Sequence, residues 1–413
     1  MPEFLQLLPP QEAFNRLLEF LPPYRAVEAS EPCNTLHALG RVTAEPVYAP
    51  QPLPSFMRST VDGFAVRAAD TYGASEGIPA YLRLAGEVPM GKPAGTRLGT
   101  GKCALIHTGG MLPEGADAVV MVEYTQSVGQ DEVEVYRAVA AGENVLMVGE
   151  DVSEGQEVIP AGKRLRPADI GGLMASGILQ LPVMRRPRVG IFSSGDEVVP
   201  PETTPGPGQV RDVNLYTLSA LVVEAGGEPR RYGILPDQAE ALYQAARPAL
   251  EACDLLVITA GSSASTRDLT AQVINRLGQP GVLVHGVDVR PGKPTILAVC
   301  GGKAVVGLPG NPVSALVIAS LFVAPLIRTL LGLPVKAPRA CVPARLTINL
   351  PSQAGREDWV PVRLILSENG YQAEPVFGKS NLIFTLSRAD GLVRIPPDAN
   401  GLDAGEAVEV FLL

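Results

Sequence analysis

Apolar residues along this chain keep two periods, and the switch between them marks out its parts. Ala13, Phe14, Leu17, Leu18 and Leu21 recur at helical spacing behind Pro9-Pro10, which predicts an amphipathic helix over 11–21 that stops at Pro22-Pro23. Residues 36–49 read as a helix and a strand leading into a crossing rich in proline, with Pro50, Pro52 and Pro54. From about 80 to 150 the text turns to short runs such as LRLAGEV, CALIHTGG, DAVVMVE and EVEVYRAV, separated by glycine. Such spacing predicts a small barrel or sandwich. Residues 155–181, with a helical stretch at 167–176, return the chain to the element it left near residue 49. The β-rich module therefore reads as an insertion.

Arg185-Arg186-Pro187-Arg188 reads as a linker, and a different pattern follows it. Apolar runs at 189–192, 232–235 and 255–259 alternate with helical stretches after 214 and at 238–252. Alternation of this kind predicts a parallel sheet covered on both faces, with ligands beyond the carboxyl ends of its strands. Glu197, Asp237, Ser262, Asp268 and the turn Pro309-Gly310-Asn311-Pro312 fall at those ends. In KAVVGLPGNPVSALVIASLF, residues 303–308 form a buried strand, Asn311 is a candidate N-cap and Pro312 opens a core helix, bent or ended near Pro325. Five further β-runs after residue 334 predict a C-terminal barrel or sandwich. The expected architecture is α/β plus β, in four parts. Residues 1–48 with 156–186 form an N-terminal helix and elongated linker domain, 49–155 an inserted β-rich domain, 187–336 a central parallel-sheet α/β domain, and 337–413 a C-terminal β-barrel.

Composition narrows the function classes. With 46% hydrophobic and 19% charged residues, the 413-residue chain is expected to be soluble and globular. A net charge of −9 argues against nucleic acid and anionic membrane surfaces as partners. The five cysteines are scattered, none at zinc-ligand spacing, and read as buried thiols of a cytoplasmic protein. The N-terminus lacks the apolar run of a signal peptide, and residues 313–327 read as a core helix, not a membrane span.

Glu197, Asp237, Asp268 and Asp62 are hard oxygen ligands; beside Lys293, Arg290 and helix N-termini they suit a Mg²⁺ ion bridging carboxylates to phosphate. Gly261-Ser262 offers backbone N–H groups and a hydroxyl to a diphosphate. Arg290-Pro291-Gly292-Lys293 sets a point-charge lysine on a glycine turn, suited to an oxyanion.

Several strings carry a resemblance. They are Ser59-Thr60-Val61-Asp62-Gly63-Phe64-Ala65-Val66, Thr108-Gly109-Gly110-Met111-Leu112-Pro113-Glu114-Gly115-Ala116-Asp117-Ala118-Val119-Val120, Gly149-Glu150-Asp151 and GLPGNPVS at 307–314. In this order they resemble the molybdopterin molybdotransferases, the MoeA and gephyrin E-domain family. The resemblance implies an enzyme of molybdenum cofactor biosynthesis with an α/β domain of the molybdopterin-binding type. It would take adenylylated molybdopterin and molybdate and, with Mg²⁺, release AMP. Matched by motif, Asp62, Thr108, Asp151, Glu197, Asp237 and Lys293 would be catalytic, and Glu197 and Asp268 would hold the metal. Gly261, Ser262, Arg290, Pro309, Asn311, Pro312, Arg356 and Ser380 would bind substrate, Arg356 and Ser380 gripping molybdate. The resemblance also implies a homodimer whose sites draw on both subunits, and a molybdopterin adenylyltransferase as partner. Gly286 and Arg290 stand where the family commonly has lysines, and Arg267-Asp268-Leu269-Thr270 is similar to the related adenylyltransferases. An adenylyltransferase-like or tungstate-selective paralogue, or a non-catalytic molybdopterin-binding scaffold, stays open as an alternative.

Overall fold

The computed structural model describes residues 7–22, 30–260, 264–334 and 340–413, the side chains of 264–268 excepted. Two units emerge, one of residues 32–39 and 45–182, the other of 1–31, 40–44 and 183–413. In the first, the short β-runs pair into a six-stranded sheet in the order Ala118–Met121, Gly63–Val66, Lys102–Ile106, Ala80–Glu87, Glu132–Val135, Thr125–Val128. Period-2 alternation sends Phe64 and Val66 into one buried cluster and Ala65 into another on the opposite face. Gly63 sits where the strands approach most closely: a Cβ there would lie 1.9 Å from the Val120 carbonyl oxygen. That close approach fixes where Asp62, the preceding residue, leaves the sheet. The helix α2 (Pro167–Ala175) completes this unit much as its sequence predicts.

The second unit begins with α1 (Pro10–Glu19), which packs on the α/β sheet: Ala13, Phe14 and Leu17 join its core, and the Phe14 and Phe322 rings lie 6.1 Å apart. The sheet contains β1 (Arg188–Ser194), β2 (Glu228–Leu235), β3 (Leu255–Ala260), β4 (Pro280–His285), β5 (Ile296–Cys300) and β6 (Lys303–Pro309), in the order β2-β1-β3-β6-β5-β4. The first four strands in this order are parallel; β5 runs antiparallel to both its neighbours, β6 and β4, and with β4 extends the predicted parallel sheet at one edge. Neighbours along β1 face opposite ways, Ile191 into the cluster under α3 (Asn214–Ala225), α6 (Pro312–Leu321) and α7 (Val323–Leu330), Phe192 into that under α4 (Ala239–Ala252) and α5 (Ala264–Leu277). Burial on both faces explains why these strands read as unbroken apolar runs.

The segment Pro312–Leu330 is apolar and long enough to cross a membrane, yet 56% of it is buried inside the protein and its side chains fill the main core. It breaks at Phe322, before the expected bend at Pro325. The Pro325 ring cannot accommodate the carbonyl four residues back, Leu321, so the helix yields there.

The five predicted C-terminal strands, Cys341–Leu346, Glu357–Ser367, Gly370–Pro375, Gly391–Ile395 and Ala407–Leu412, close into a barrel because Glu357–Ser367 pairs with both Gly370–Pro375 and Gly391–Ile395. A two-residue strand from the α/β domain, Val289–Arg290, adds to it in parallel and sets Arg290 opposite Asp358. Four cysteines are buried as expected; Cys341, at the first barrel strand, is exposed.

Candidate functional site

The register of the sheet brings its carboxyl ends level: Ser193 pairs with Thr259, Thr259 with Leu308 and Ala260 with Pro309. Beyond β6 the turn Pro309-Gly310-Asn311-Pro312 opens a cleft of about 890 Å³ against the barrel, lined by Arg290, Lys293, Asn311, Arg356, Lys379 and Ser380 among others. Four separate segments thus supply its polar groups. Asn311 precedes α6 with extended backbone, but its side chain makes no cap; its Nδ2 donates instead to Ser380 Oγ at 3.0 Å. The Val313 N–H, one of the free donors of the helix, goes to the Ser380 carbonyl at 3.0 Å. Asn311 thus holds the expected N-cap position, while its side-chain bond is given to a clasp between turn and barrel loop.

Buried Asp358 organises the cationic wall. It accepts from Arg356 Nε at 2.9 Å and Nη2 at 3.4 Å, and from Ser352 Oγ at 2.9 Å. Arg290 stands further off, 3.7 Å from the same carboxylate and 63% exposed. Lys293 is exposed and pairs with no carboxylate among the described residues. One carboxylate against four cations leaves the cleft positive within an acidic protein, a field that draws anions.

Carboxylates collect further along the rim. Asp237 follows β2 and receives a hydrogen bond from Ser194 Oγ at the end of β1, while its own N–H donates to Asp196 Oδ1 at 3.3 Å. Glu197 is exposed; its carboxylate lies near Gly195, where a Cβ would come within 2.9 Å of Glu197 Oε2. Gly261, Ser262 and the side chain of Asp268 lie outside the described residues. Among the described residues no cluster of three His, Cys, Asp or Glu could hold a metal ion. The rim does supply hard oxygen donors, the chemistry a magnesium ion takes.

In the other unit, Asp62 and Thr108 meet. The Thr108 N–H donates to Asp62 Oδ1 at 2.8 Å and its hydroxyl at 3.2 Å, with His107 Nδ1 3.7 Å away. The backbone N–H of Thr108, then its hydroxyl, hold the Asp62 carboxyl below the usual aspartate range. Asp151 lies in a cleft of about 540 Å³ in the same unit, lined also by Phe56, Arg58 and Glu150. Arg58 stands just before the string that contains Asp62.

Sequence reasoning missed Asp358, Ser194, Asp196 and Lys379. Arg356 was legible as a cation, but its counter-ion two residues later reads as part of a strand. The pair Asp212 and Asn214 reads only as the start of a helix.

Residues 8–177 match the model of the MoeA N-terminal region (domain I and II), 190–329 that of the "Probable molybdopterin binding domain", and 343–413 that of the MoeA C-terminal region (domain IV). Molybdopterin molybdenumtransferase of Bacillus subtilis is 33% identical over 380 residues, covering 91% of this chain and 88% of the relative. The enzyme of the same name from Nostoc sp. is 32% identical over 408 residues, covering 98% and 93%. A solved molybdopterin biosynthesis MoeA protein from Pyrococcus horikoshii superposes with a TM-score of 0.85 at 32% identity, covering 99% of this chain and 100% of that one. A second MoeA structure from that organism reaches 0.83 at 37% identity, covering 98% and 99%. Fold and matched domains together define a multidomain protein with a central molybdopterin-binding α/β domain and a closed C-terminal barrel. The chain belongs to the MoeA family.

Proposed function

We propose that this chain is a molybdopterin molybdenumtransferase, taking adenylylated molybdopterin and molybdate and releasing AMP as the metal enters the dithiolene. The observation that carries the reading is the positive cleft where Arg290, Lys293, Arg356 and Ser380 converge beside the Pro309–Pro312 turn. Exposed Lys293 offers a compact ammonium, Arg356 a guanidinium oriented by Asp358, and Ser380 a hydroxyl already engaged by Asn311. Such a set binds a tetrahedral oxyanion by charge and directed donors together.

Magnesium would be held at the rim by Glu197 and Asp268, and would supply charge neutralisation to the diphosphate. Asp237, hydrogen-bonded through Ser194, orients that acidic edge. Asp62, Thr108 and Asp151 would complete the site from the inserted β-domain of a second subunit, which makes the working form a homodimer. A molybdopterin adenylyltransferase would supply the substrate, and the four buried thiols suit a reducing cytoplasm.

Incubation with adenylylated molybdopterin, Mg²⁺ and either molybdate or tungstate tests this. AMP release coupled to metal insertion is expected, with molybdate preferred. Consumption of ATP would point to adenylyl transfer instead, and binding without turnover would sink the enzymatic reading.

A further inference from the structure

Two buried oxygens near the start of α3 have no donor among the described residues. Asp212 lies two residues before the first residue of α3, Asn214, and the two are only 5% and 7% exposed. Asp212 Oδ1 accepts from the Leu215 N–H at 3.1 Å, and Asn214 Nδ2 donates to the Gly310 carbonyl at 2.7 Å. Their remaining oxygens, Asp212 Oδ2 and Asn214 Oδ1, are closed to solvent and meet no donor among the described residues. Proteins rarely leave buried acceptors unmatched, because desolvation is then uncompensated. Two at the start of one helix make a place that asks for hydrogen-bond donors.

Asn214 ties this place to the turn that borders the positive cleft. Gly310, held by Asn214, is followed by Asn311, whose amide reaches Ser380 in that cleft. A single turn therefore separates a place with two unmatched acceptors from one dominated by donors. A ligand spanning both needs a donor edge at one end and an anion at the other. A metal ion fits the two acceptors poorly, since one carboxylate and one amide oxygen are too few hard ligands, and no larger acidic cluster occurs among the described residues.

We infer that Asp212 and Asn214 receive the amino-pyrimidinone edge of a pterin, while its anionic tail lies in the cleft across the turn. The inference rests on the reading of this chain as a molybdopterin enzyme. A pterin presents a ring N–H and an exocyclic amino group side by side, and adjacent donors of that kind suit a carboxylate with a carbonyl oxygen nearby. Because both oxygens are closed to water, the turn has to give as the edge enters, and the Asn214–Gly310 hydrogen bond is the contact that opens.

The test uses 6-hydroxymethylpterin, which carries the edge without phosphate or dithiolene, titrated by its fluorescence into the full chain. AMP and molybdate are titrated in parallel. Asp212→Asn and Asp212→Ser each keep an oxygen to cap the Leu215 N–H while removing the unmatched carboxylate oxygen. Both should weaken pterin binding at least tenfold and leave melting temperature and the affinities for AMP and molybdate unchanged. Wild type that does not bind the pterin, or variants that bind it as wild type does, would overturn the inference; an ordered water or a Mg²⁺ ion at these oxygens predicts the latter. Parallel loss of melting temperature and AMP affinity would reduce Asp212 to a structural cap and overturn it too. Failure of the broader reading shows separately, as wild type that releases no AMP from adenylylated molybdopterin.

Discussion

Charge in the cleft is divided unequally among its side chains. Arg356 is committed to buried Asp358, Arg290 is loosely tethered to the same carboxylate at 3.7 Å, and Lys293 is untied. Lys293→Ala should therefore weaken molybdate binding most. A charge-assisted contact contributes about 1.5–3 kcal/mol, roughly one to two orders of magnitude in affinity. Arg290→Ala should cost less, and titration calorimetry of both variants decides the order; an unchanged Kd for Lys293→Ala would remove this turn from the site. Asp62 makes a different residue-level prediction. Its carboxyl is held down chiefly by the Thr108 backbone N–H, which no substitution at 108 short of proline removes. Thr108→Val should leave the Asp62 pKa below the ordinary range, as read by carboxyl-carbon NMR titration. Because the folded pKa is the depressed one, the associated stability is present above the unfolded value of about 3.9 and lost as pH falls through the folded value. An Asp62 that titrates normally in Thr108→Val would show the hydroxyl to be the main donor.

Elements meet at backbone positions that admit no side chain. Gly292 has φ +114°, and a Cβ there would lie 2.2 Å from Ile318 Cγ1 on α6. This contact seats the Lys293 turn on the helix that follows the Pro309–Pro312 turn. Gly292→Ala should lower stability by about 1–3 kcal/mol through overpacking and positive φ, and weaken molybdate binding as Lys293 is displaced. Gly99→Ala, whose Cβ would meet nothing within 4 Å, is the matching control and should change neither. Denaturant melts with parallel molybdate titrations report both; equal behaviour of the two variants would mean the turn is not held by this contact.

For the whole molecule, the proposed shared-site homodimer makes a prediction that one subunit alone could not meet. If Asp62 serves one half of the site and Lys293 the other from a different chain, Asp62→Ala and Lys293→Ala are each inactive as homodimers. Refolded together they should form heterodimers with one intact site, and recover about a quarter of wild-type turnover by random pairing. No recovery, with mixed dimers shown to form, would place both residues in the same subunit's site.

The sequence by itself determined the elements. Apolar runs gave the strands of the α/β domain because both faces of that sheet are buried, and alternation gave the inserted β-module and the barrel because each strand divides its side chains between two surroundings. Fixed strings gave Asp62, Thr108 and the Pro309–Pro312 turn one by one, because each is local in the chain; that Asp62 and Thr108 meet was decided by the pairing of Gly63–Val66 with Lys102–Ile106. What decided the cleft was tertiary. Arg290, Asn311, Arg356 and Ser380 come from four places in the sequence, and their meeting depends on a two-residue strand joining the barrel and on a loop clasping α6. Asp358 was hidden because a buried counter-ion inside a strand has no sequence period of its own. Asn311 does stand at the expected N-cap, but its side chain does not cap the helix for the same physical reason: an asparagine amide takes the nearest partner in space, and only the folded chain shows that this partner is Ser380.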